Sequence, residues 1–146
     1  MHIRNMALTD YDAVYALWLS CKGMGLNSVD DSREGIARYL ARNPSTCFVA
    51  EEEGKILGVI MAGHDGRRGY IYHTAVLPPY RNLGIAKGLV IRAMEALECE
   101  GIHKVALVAF KRNDIGNGFW ESIGFSERDD LVYRNKNIHI LNRIDT

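Results

Sequence analysis

The residues best suited to bind an anion lie where a predicted strand meets a predicted helix, in the segment Val76-Leu77-Pro78-Pro79-Tyr80-Arg81-Asn82-Leu83-Gly84-Ile85-Ala86. The first amides of a helix have no intrahelical partner, and the helix dipole adds about half a positive charge there, which stabilises a phosphate. Gly84 lets the backbone approach the anion, Ala86 does not block it, and Arg81 can add a charge-assisted hydrogen bond. The spacing predicts a pyrophosphate cradle. The pattern Arg-x-x-Gly-x-Ala also arises by chance in roughly one chain in ten of this length, so it does not decide the function alone.

The hydrophobic periodicity places this junction inside a βαβ unit of a mixed α/β chain. Three strands that precede the helix are predicted to be antiparallel neighbours. The predicted strands cover 2–5, 46–51, 55–64, 70–77, 103–110 and 131–134, and the predicted helices cover about 10–21, 32–43, 85–100 and 114–123. The tail over 138–144 alternates apolar and polar residues and is either an edge strand or a loosely held extension.

Composition predicts one domain and excludes several classes of partner. The chain has 146 residues, 47% of them hydrophobic, which suits a single core. Eighteen basic residues balance 18 acidic ones, which disfavours nucleic acid and membrane surfaces as partners. The three cysteines lack the spacing of a metal site or a disulfide framework, and no apolar run is long enough for a signal peptide or a spanning helix. We therefore expect a cytoplasmic protein without a metal.

The residues beyond the junction resemble a known family. Asn113, Gly116, Phe119-Trp120 and Gly124-Phe125 follow at the spacing of the GNAT family of N-acetyltransferases. That family ends its motif A in Arg/Gln-x-x-Gly-x-Gly/Ala, and its next strand leads to Asn-x-x-Ala-x-x-hydrophobic-Tyr-x-x-x-Gly-Phe. The resemblance runs from about Ile3 to Tyr133 and is close to bacterial peptide-alanine acetyltransferase-like members.

This resemblance implies an architecture. We expect a mixed, largely antiparallel, twisted sheet of six to seven strands flanked by about four helices, with a splayed central strand pair. It also implies one N-acetyltransferase domain over 1–146, with its core at about 3–134 and a C-terminal extension over 135–146.

The resemblance further implies acetyl-CoA as cosubstrate and an amine as acceptor. The backbone of Ala75 and Val76 is expected to pair with the pantetheine arm as an added strand does. Asn113 is expected to bond the pantetheine or the pyrophosphate, although an asparagine at this place is equally a helix cap. The remaining residues expected to bind the cosubstrate are Arg81, Leu83, Gly84, Ile85, Ala86, Lys87, Gly88, Gly116 and Phe119.

The implied reaction is direct attack by a neutral amine on a thioester in a ternary complex. Deprotonating a lysine-like amine at pH 7 costs on the order of 4–5 kcal/mol, so a base helps. The family often uses a glutamate in the strand before motif A, but positions 70–73 hold Tyr-Ile-Tyr-His. His73 is a candidate base because imidazole titrates near neutrality, and Tyr72 is a candidate for ordering a water. Their side chains are expected to point to opposite faces, and His73 alternatively packs on a helix.

Other candidates carry alternative interpretations. Trp120 stands where the family commonly has a tyrosine acid; its indole N–H can bond a sulfur but gives up no proton at neutral pH, and it is alternatively a core aromatic. The loop over 22–31 is expected to be a mobile lid on the acceptor site. The segment Asp30-Asp31-Ser32 is expected to cap the second helix, and Asp30 and Asp31 alternatively attract a cationic amine. Asp65 is a candidate base or a solvated turn carboxylate.

Two other functions stay open on sequence alone. A non-catalytic acyl-CoA-binding or sensing module fits the missing glutamate and tyrosine. A nucleotide-binding domain of another fold is the weakest alternative, because neither Gly-x-Gly-x-x-Gly nor Gly-Lys-Ser/Thr occurs. The acceptor stays unidentified, and the protein is a monomer or a homodimer in which the tail after Asn135 offers a strand edge.

Overall fold

A computed structural model of the protein describes residues 1–144 and contains one mixed sheet with the strand order β1-β2-β3-β4-β5. The first four strands are antiparallel neighbours, and β5 runs parallel to β4. The strands are β1 (His2–Asn5), β2 (Phe48–Glu52), β3 (Lys55–His64), β4 (Gly69–Val76) and β5 (Val105–Ala106). The helices are α1 (Tyr11–Leu19), α2 (Arg33–Arg42), α3 (Ile85–Cys99) and α4 (Asp114–Ser122). None of these helices is long and apolar enough to cross a membrane.

The prediction of about four helices is confirmed, whereas that of six to seven strands is wrong for the described residues, which form five. The strand predicted over 103–110 is reduced to two residues. Residues 131–134 form no strand. Their apolar side chains are exposed, so no packing against the core stabilises a strand there. The tail contributes a single bridge, between Asn27 and Arg143.

Both faces of the sheet are buried, because β3 directs alternate apolar side chains to opposite sides. Val59 and Met61 pack with α1 and α2 in one core cluster. Ile60 and Ala62 pack with α3 in the other. The central strands are therefore fixed from both sides, and the groups available for chemistry lie at their ends and at the free edge of β4.

That free edge follows from the short pairing of β4 with β5. The two strands pair only at Gly69 with Val105 and at Tyr70 with Ala106. Beyond Tyr70, the side of β4 that faces β5 has no strand partner within residues 1–144. A strand edge of this kind can bind an extended ligand through its backbone.

A β-bulge interrupts β4 beside this edge. Val59 pairs with Ala75 and Met61 pairs with Tyr72, so two residues of β4, His73 and Thr74, lie opposite one residue of β3. His73 has a φ of 43°, a left-handed conformation that few non-glycine residues adopt. A bulge of this kind redirects side chains, so the simple alternation expected along β4 does not hold at His73.

A single residue caps the start of α2. Ser32 is its N-cap, and its Oγ accepts a hydrogen bond from Gly35 N at 3.0 Å. Of the three residues expected to cap this helix, Ser32 is therefore confirmed, and the expectation for Asp30 and Asp31 is wrong. Because the serine fills that position, the Asp31 carboxylate is available for other contacts, which are described below.

A partly buried ion pair joins β1 to the start of α1. The Arg4 guanidinium donates to both carboxylate oxygens of Asp10 at 2.9 Å and to Glu51 Oε2 at 2.7 Å. Asp10 is 8% exposed, and its Oδ2 also accepts from Ala7 N at 2.8 Å. The hydrogen bonds from Arg4 hold the pKa of Asp10 below its ordinary value.

We expect Asp10→Asn to lower the free energy of unfolding at pH 7 by about 1–2 kcal/mol, because Arg4 then keeps only Glu51 as a carboxylate partner in a pair that is partly exposed. Since the folded pKa of Asp10 is lowered, its stabilisation is present above about pH 4 and is lost as the pH falls through the folded pKa. Urea unfolding of both proteins at pH 7 and at pH 2.5 measures this. A difference that stays constant between the two pH values contradicts the assignment.

Candidate active site

A cleft of about 1100 Å³ opens beside the free edge of β4. Its walls come from the loop before α2, from α2 itself, from β4 and from the segment that follows β5. Tyr72, His73, Asn113 and Trp120 all line it. The structure thus brings together the candidate catalytic residues that sequence reasoning named separately.

His73 and Asp31 form a close pair at one end of the cleft. The distance between His73 Nε2 and Asp31 Oδ1 is 2.8 Å, and the side chains are 14% and 4% exposed. Trp18 donates from Nε1 to the His73 carbonyl at 3.1 Å, and its ring meets the imidazole edge-on at a centroid distance of 5.1 Å. His73 therefore packs on a helix, as its structural interpretation expected, and also faces the cleft.

The pair fixes which imidazole nitrogen can accept a proton. The Asp31 carboxylate is an acceptor and already accepts from Asn27 N at 2.8 Å through Oδ2. In the tautomer that donates from Nε2, the imidazole gives this carboxylate a hydrogen bond and its lone pair lies on Nδ1. Nδ1 keeps its lone pair and has no hydrogen-bond partner within residues 1–144. An imidazole nitrogen in this state can accept a proton, and His73 lines the cleft.

Tyr72 lines the same cleft as His73, at a ring centroid distance of 6.1 Å. The expectation that the two side chains point to opposite faces is therefore wrong, because the bulge at His73 and Thr74 breaks the alternation. Tyr72 also meets Tyr70 at 4.7 Å and Tyr39 at 5.9 Å. Burial raises the pKa of Tyr72 and raises that of Tyr70 to about 12, so both phenols keep their protons at neutral pH.

Thr74 was not predicted as a site residue. Its Oγ1 is buried and has no hydrogen-bond partner among the described residues, although it belongs to the cleft wall next to His73. A buried hydroxyl without a partner carries a free-energy cost that a polar ligand group can remove. No feature of the sequence marks this position, because the need for a partner arises from the bulge.

The start of α3 has the features of an anion cradle. Gly84 has a φ of 82°, a Cβ placed there meets nothing within 4 Å, and no side chain caps the helix. Gly88 N donates to Gly84 O at 3.0 Å, which leaves the intervening amides of Ile85, Ala86 and Lys87 outside the helical ladder. The Ile85 side chain is buried in the core and anchors the turn, whereas Leu83 and Lys87 are exposed.

Arg81 lies back against the end of β4. Its Nε donates to the Val76 carbonyl at 3.3 Å, and its Nη2 contacts Cys21 Sγ at 3.5 Å. Ala75 and Val76 are buried at the end of the same strand. The expected contacts of these three residues with a pantetheine arm or a phosphate stay predictions.

The residues of α4 combine structural roles with a place near the cleft. Asn113 caps the helix by accepting from Gly116 N at 3.0 Å, so the capping interpretation is confirmed. A Cβ at Gly116 would lie 2.5 Å from Asn113 Nδ2, so an alanine there would require the asparagine side chain to shift. Trp120 packs against Phe119 and Phe125 at 5.1 and 5.2 Å, as its interpretation as a packed aromatic expected.

The loop over 22–31 is held by the C-terminal residues. Ser28 N donates to Asn142 O and Ile144 N donates to Leu26 O, both at 2.9 Å. Leu26 is buried in the core. The tail therefore covers the loop that carries Asp31, a contact that the sequence did not predict.

Asp65 behaves as a turn carboxylate. Its Oδ1 accepts from the amides of Arg67 and Arg68, both at 2.8 Å, and these bonds lower the pKa of its carboxyl. Within residues 1–144, no three histidine, cysteine, aspartate or glutamate side chains are placed to hold a metal ion.

The three thiols differ sharply in exposure, and we expect their labelling to follow it. Burial raises the pKa of Cys47 to about 12, and Cys21 is also buried, whereas Cys99 is exposed. A maleimide at pH 7.5 should label one thiol per folded chain, at Cys99, and all three after denaturation, because the thiolate is the reactive form. Intact mass measures the number of labels, and Cys99→Ser is the control that should show none. Rapid labelling of Cys47 in the folded protein contradicts its burial.

Known proteins of one family are similar to this chain. A family model described as the acetyltransferase (GNAT) family matches residues 11–125. An acetyltransferase of Pectobacterium atrosepticum is 35% identical over 132 residues, which is 90% of this chain and 92% of that protein.

Two solved structures share the fold. The PaiA N-acetyltransferase from Thermoplasma acidophilum, in complex with coenzyme A, has a TM-score of 0.75 at 20% identity, over 88% of this chain and 91% of that chain. The ribosomal-protein-S18-alanine N-acetyltransferase from Escherichia coli has a TM-score of 0.70 at 21% identity, over 87% and 78%.

Proposed function

The chain belongs to the acetyltransferase (GNAT) family, and we propose that it is an acetyl-CoA-dependent N-acetyltransferase acting on a primary amine of a small molecule or a peptide N-terminus. The observation that supports this proposal is the pair of His73 and Asp31, two residues in hydrogen-bond contact that both line a cleft at the free edge of β4. The transfer is direct, with both substrates bound at once. Residues 3–134 form the catalytic domain, and 135–146 are its extension.

The described residues suit acetyl-CoA. The uncapped start of α3 offers three backbone amides and the positive end of the helix dipole to a pyrophosphate. The edge of β4 beyond Tyr70 has no strand partner within residues 1–144, so the pantetheine arm can lie along it. The carbonyls of His73 and Val76 already accept hydrogen bonds from Trp18 and Arg81. Acetyl-CoA, when bound, supplies the acetyl group as a thioester, and coenzyme A leaves when the acceptor nitrogen forms the amide bond.

Within this proposal, His73 is the base. Nδ1 takes the proton that the acceptor nitrogen must lose, directly or through a water. Asp31 accepts from Nε2, which holds the ring orientation and stabilises the positive charge that the imidazole gains. The hydrogen bond from Trp18 Nε1 to the His73 carbonyl holds the bulge in place.

The neighbouring side chains position the reactants. The Tyr72 phenol keeps its proton at neutral pH and can donate to a water or to the acceptor. The departing thiolate has a thiol-like pKa of about 8.5, so water can protonate it, and Trp120 needs only to pack or to bond the sulfur.

The names of two structural neighbours support nitrogen as the atom that is acetylated. PaiA is called an N-acetyltransferase and was solved with coenzyme A, and the protein from Escherichia coli is called an alanine N-acetyltransferase. Both acceptor types in the proposal, a small amine and a peptide N-terminus, are consistent with these names.

A panel of amines and peptides, assayed with acetyl-CoA by thiol release and by product mass, tests the proposal. We expect one acceptor class to release thiol in step with an acetylated product. Coenzyme A binding without turnover on any acceptor would instead favour a non-catalytic acyl-CoA-binding module. Thiol release without an acetylated amine would indicate hydrolysis of the thioester.

A further inference from the structure

The cleft carries opposite charges at its two ends. Asp30 and Asp31 line it beside His73. Three arginines line the other end, and none of them forms an ion pair within residues 1–144: Arg38, Arg42 and Arg68. Asp65 is also at that end, but the amides of Arg67 and Arg68 hold its carboxylate. The acceptor that complements this cleft has its ammonium at one end and an anionic group at the other.

Contacts between α2 and β4 fix this polarity independently of the charges. Asp31, just before α2, touches His73. Tyr39, near the middle of α2, meets the Tyr72 ring at 5.9 Å. Asn43, just after α2, accepts from His64 N at 3.2 Å, and His64 pairs with Gly69 at the start of β4. The helix therefore runs the length of the cleft, and its C-terminal half carries Arg38 and Arg42.

The separation of the two ends is set by the geometry of these elements. Arg38 and Arg42 lie about 8 and 14 Å along the α2 axis from its first residue, at ~1.5 Å per residue. Arg68 lies five positions before His73, about 16 Å along the strand. A free amino acid holds its amine and carboxylate within about one residue length, ~3.8 Å, and cannot reach both ends. An extended peptide, at ~3.3–3.6 Å per residue, reaches the positions of Arg38 and Arg42 in three or four residues.

We propose that the acceptor is a peptide N-terminus with an acidic side chain at its third or fourth residue, which Arg38, Arg42 and Arg68 bind while the α-amine lies at His73. This inference rests on the proposed function and narrows its acceptor. The guanidinium fork suits a carboxylate, and the positions of Arg38 and Arg42 one helical turn apart let two arginines share it. The aromatic pair of Tyr39 and Tyr72 forms the wall between the two ends.

Three peptides that differ only at residues 3 and 4 test this. They carry Glu-Glu, Gln-Gln or Lys-Lys after the same two small residues, and a panel of small amines and free amino acids is assayed beside them. We measure kcat/KM by thiol release, and equilibrium binding to the protein saturated with coenzyme A. We expect kcat/KM and the association constant to be about tenfold higher for the Glu-Glu peptide than for the Gln-Gln peptide, because a carboxylate accepts charge-assisted hydrogen bonds from the arginines. We expect both quantities to be lowest for the Lys-Lys peptide. We expect the preference for the Glu-Glu peptide to decrease as the salt concentration is raised, because salt screens the attraction between the carboxylates and the arginines.

Matched variants locate the preference. Arg38→Gln combined with Arg42→Gln should remove the preference, so that the ratio of kcat/KM for the Glu-Glu and Gln-Gln peptides falls to about one. Arg67→Gln is the control, because Arg67 is exposed next to Arg68 and does not line the cleft. Equal activity on the Glu-Glu and Gln-Gln peptides, or faster turnover of small amines than of any peptide, overturns the inference while the proposed function stands. Selective binding of the Glu-Glu peptide without turnover of any acceptor supports the arginine site and removes the proposed function.

Discussion

His73→Gln lowers kcat/KM for the amine acceptor by about 10²- to 10⁴-fold, the usual contribution of a general base. Glutamine can still donate to Asp31 from its amide, so the contact that orders the bulge has a substitute, but it has no group that takes a proton at neutral pH. The affinity for acetyl-CoA should be unchanged, because His73 lies within β4, whereas the proposed pyrophosphate cradle lies at the start of α3. Steady-state kinetics at fixed pH, with acetyl-CoA titrated separately, measures both quantities.

The pH profile separates a base from a structural histidine. In the wild type, kcat/KM should fall as the pH is lowered, because a protonated imidazole accepts no proton. The variant should lose this limb and keep only the dependence that comes from the acceptor amine. Activity of His73→Gln within about threefold of the wild type, with the same profile, would assign His73 to packing on Trp18 alone.

Asp31→Asn tests the second member of the pair. Its amide can donate where the carboxylate accepts, which favours the imidazole tautomer with the lone pair on Nε2 rather than on Nδ1. We expect a smaller loss than for His73→Gln. Because Asp31 also accepts from Asn27 N, thermal unfolding of the variant is the control for a change in the loop.

Local patterns predicted the parts of the fold that local physics determines. The hairpin of β2 and β3 and the long helix α3 follow from alternation and from a 3.6-residue period, and the structure places them within two residues of the predictions. Gly84 was identified from its place before an apolar helical stripe, and its positive φ is the conformation that glycine adopts most readily.

The catalytic geometry could not be predicted from the same patterns. The bulge at His73 and Thr74 contains neither glycine nor proline, and it is defined by its register against β3, a long-range pairing. Asp31 was interpreted as a cap because aspartate and serine are both favoured at that position, and the sequence does not show that Ser32 alone fills it. The contact between the C-terminal residues and Leu26 joins segments more than 100 residues apart. Each of these depends on tertiary structure that a local window does not contain.

Gly84→Glu should abolish acetyl-CoA binding, an effect of more than about 100-fold in the dissociation constant. The new side chain places a negative charge at the uncapped start of α3, where a bound pyrophosphate would otherwise lie. Gly84→Ala is the matched control, because it has the same backbone strain at a φ of 82° but no charge. We expect both variants to lose about 1–2 kcal/mol of stability and the alanine variant alone to keep measurable binding.

The most direct test of the account is a thermal-unfolding titration of the wild type and Gly84→Glu with acetyl-CoA. At ~100-fold the dissociation constant, the ligand should stabilise the wild type by about 2.7 kcal/mol, and the folded variant should show no shift. Stabilisation of both proteins to the same extent would place the cosubstrate away from the start of α3. No stabilisation of the wild type at millimolar acetyl-CoA would contradict acetyl transfer as the function of this chain.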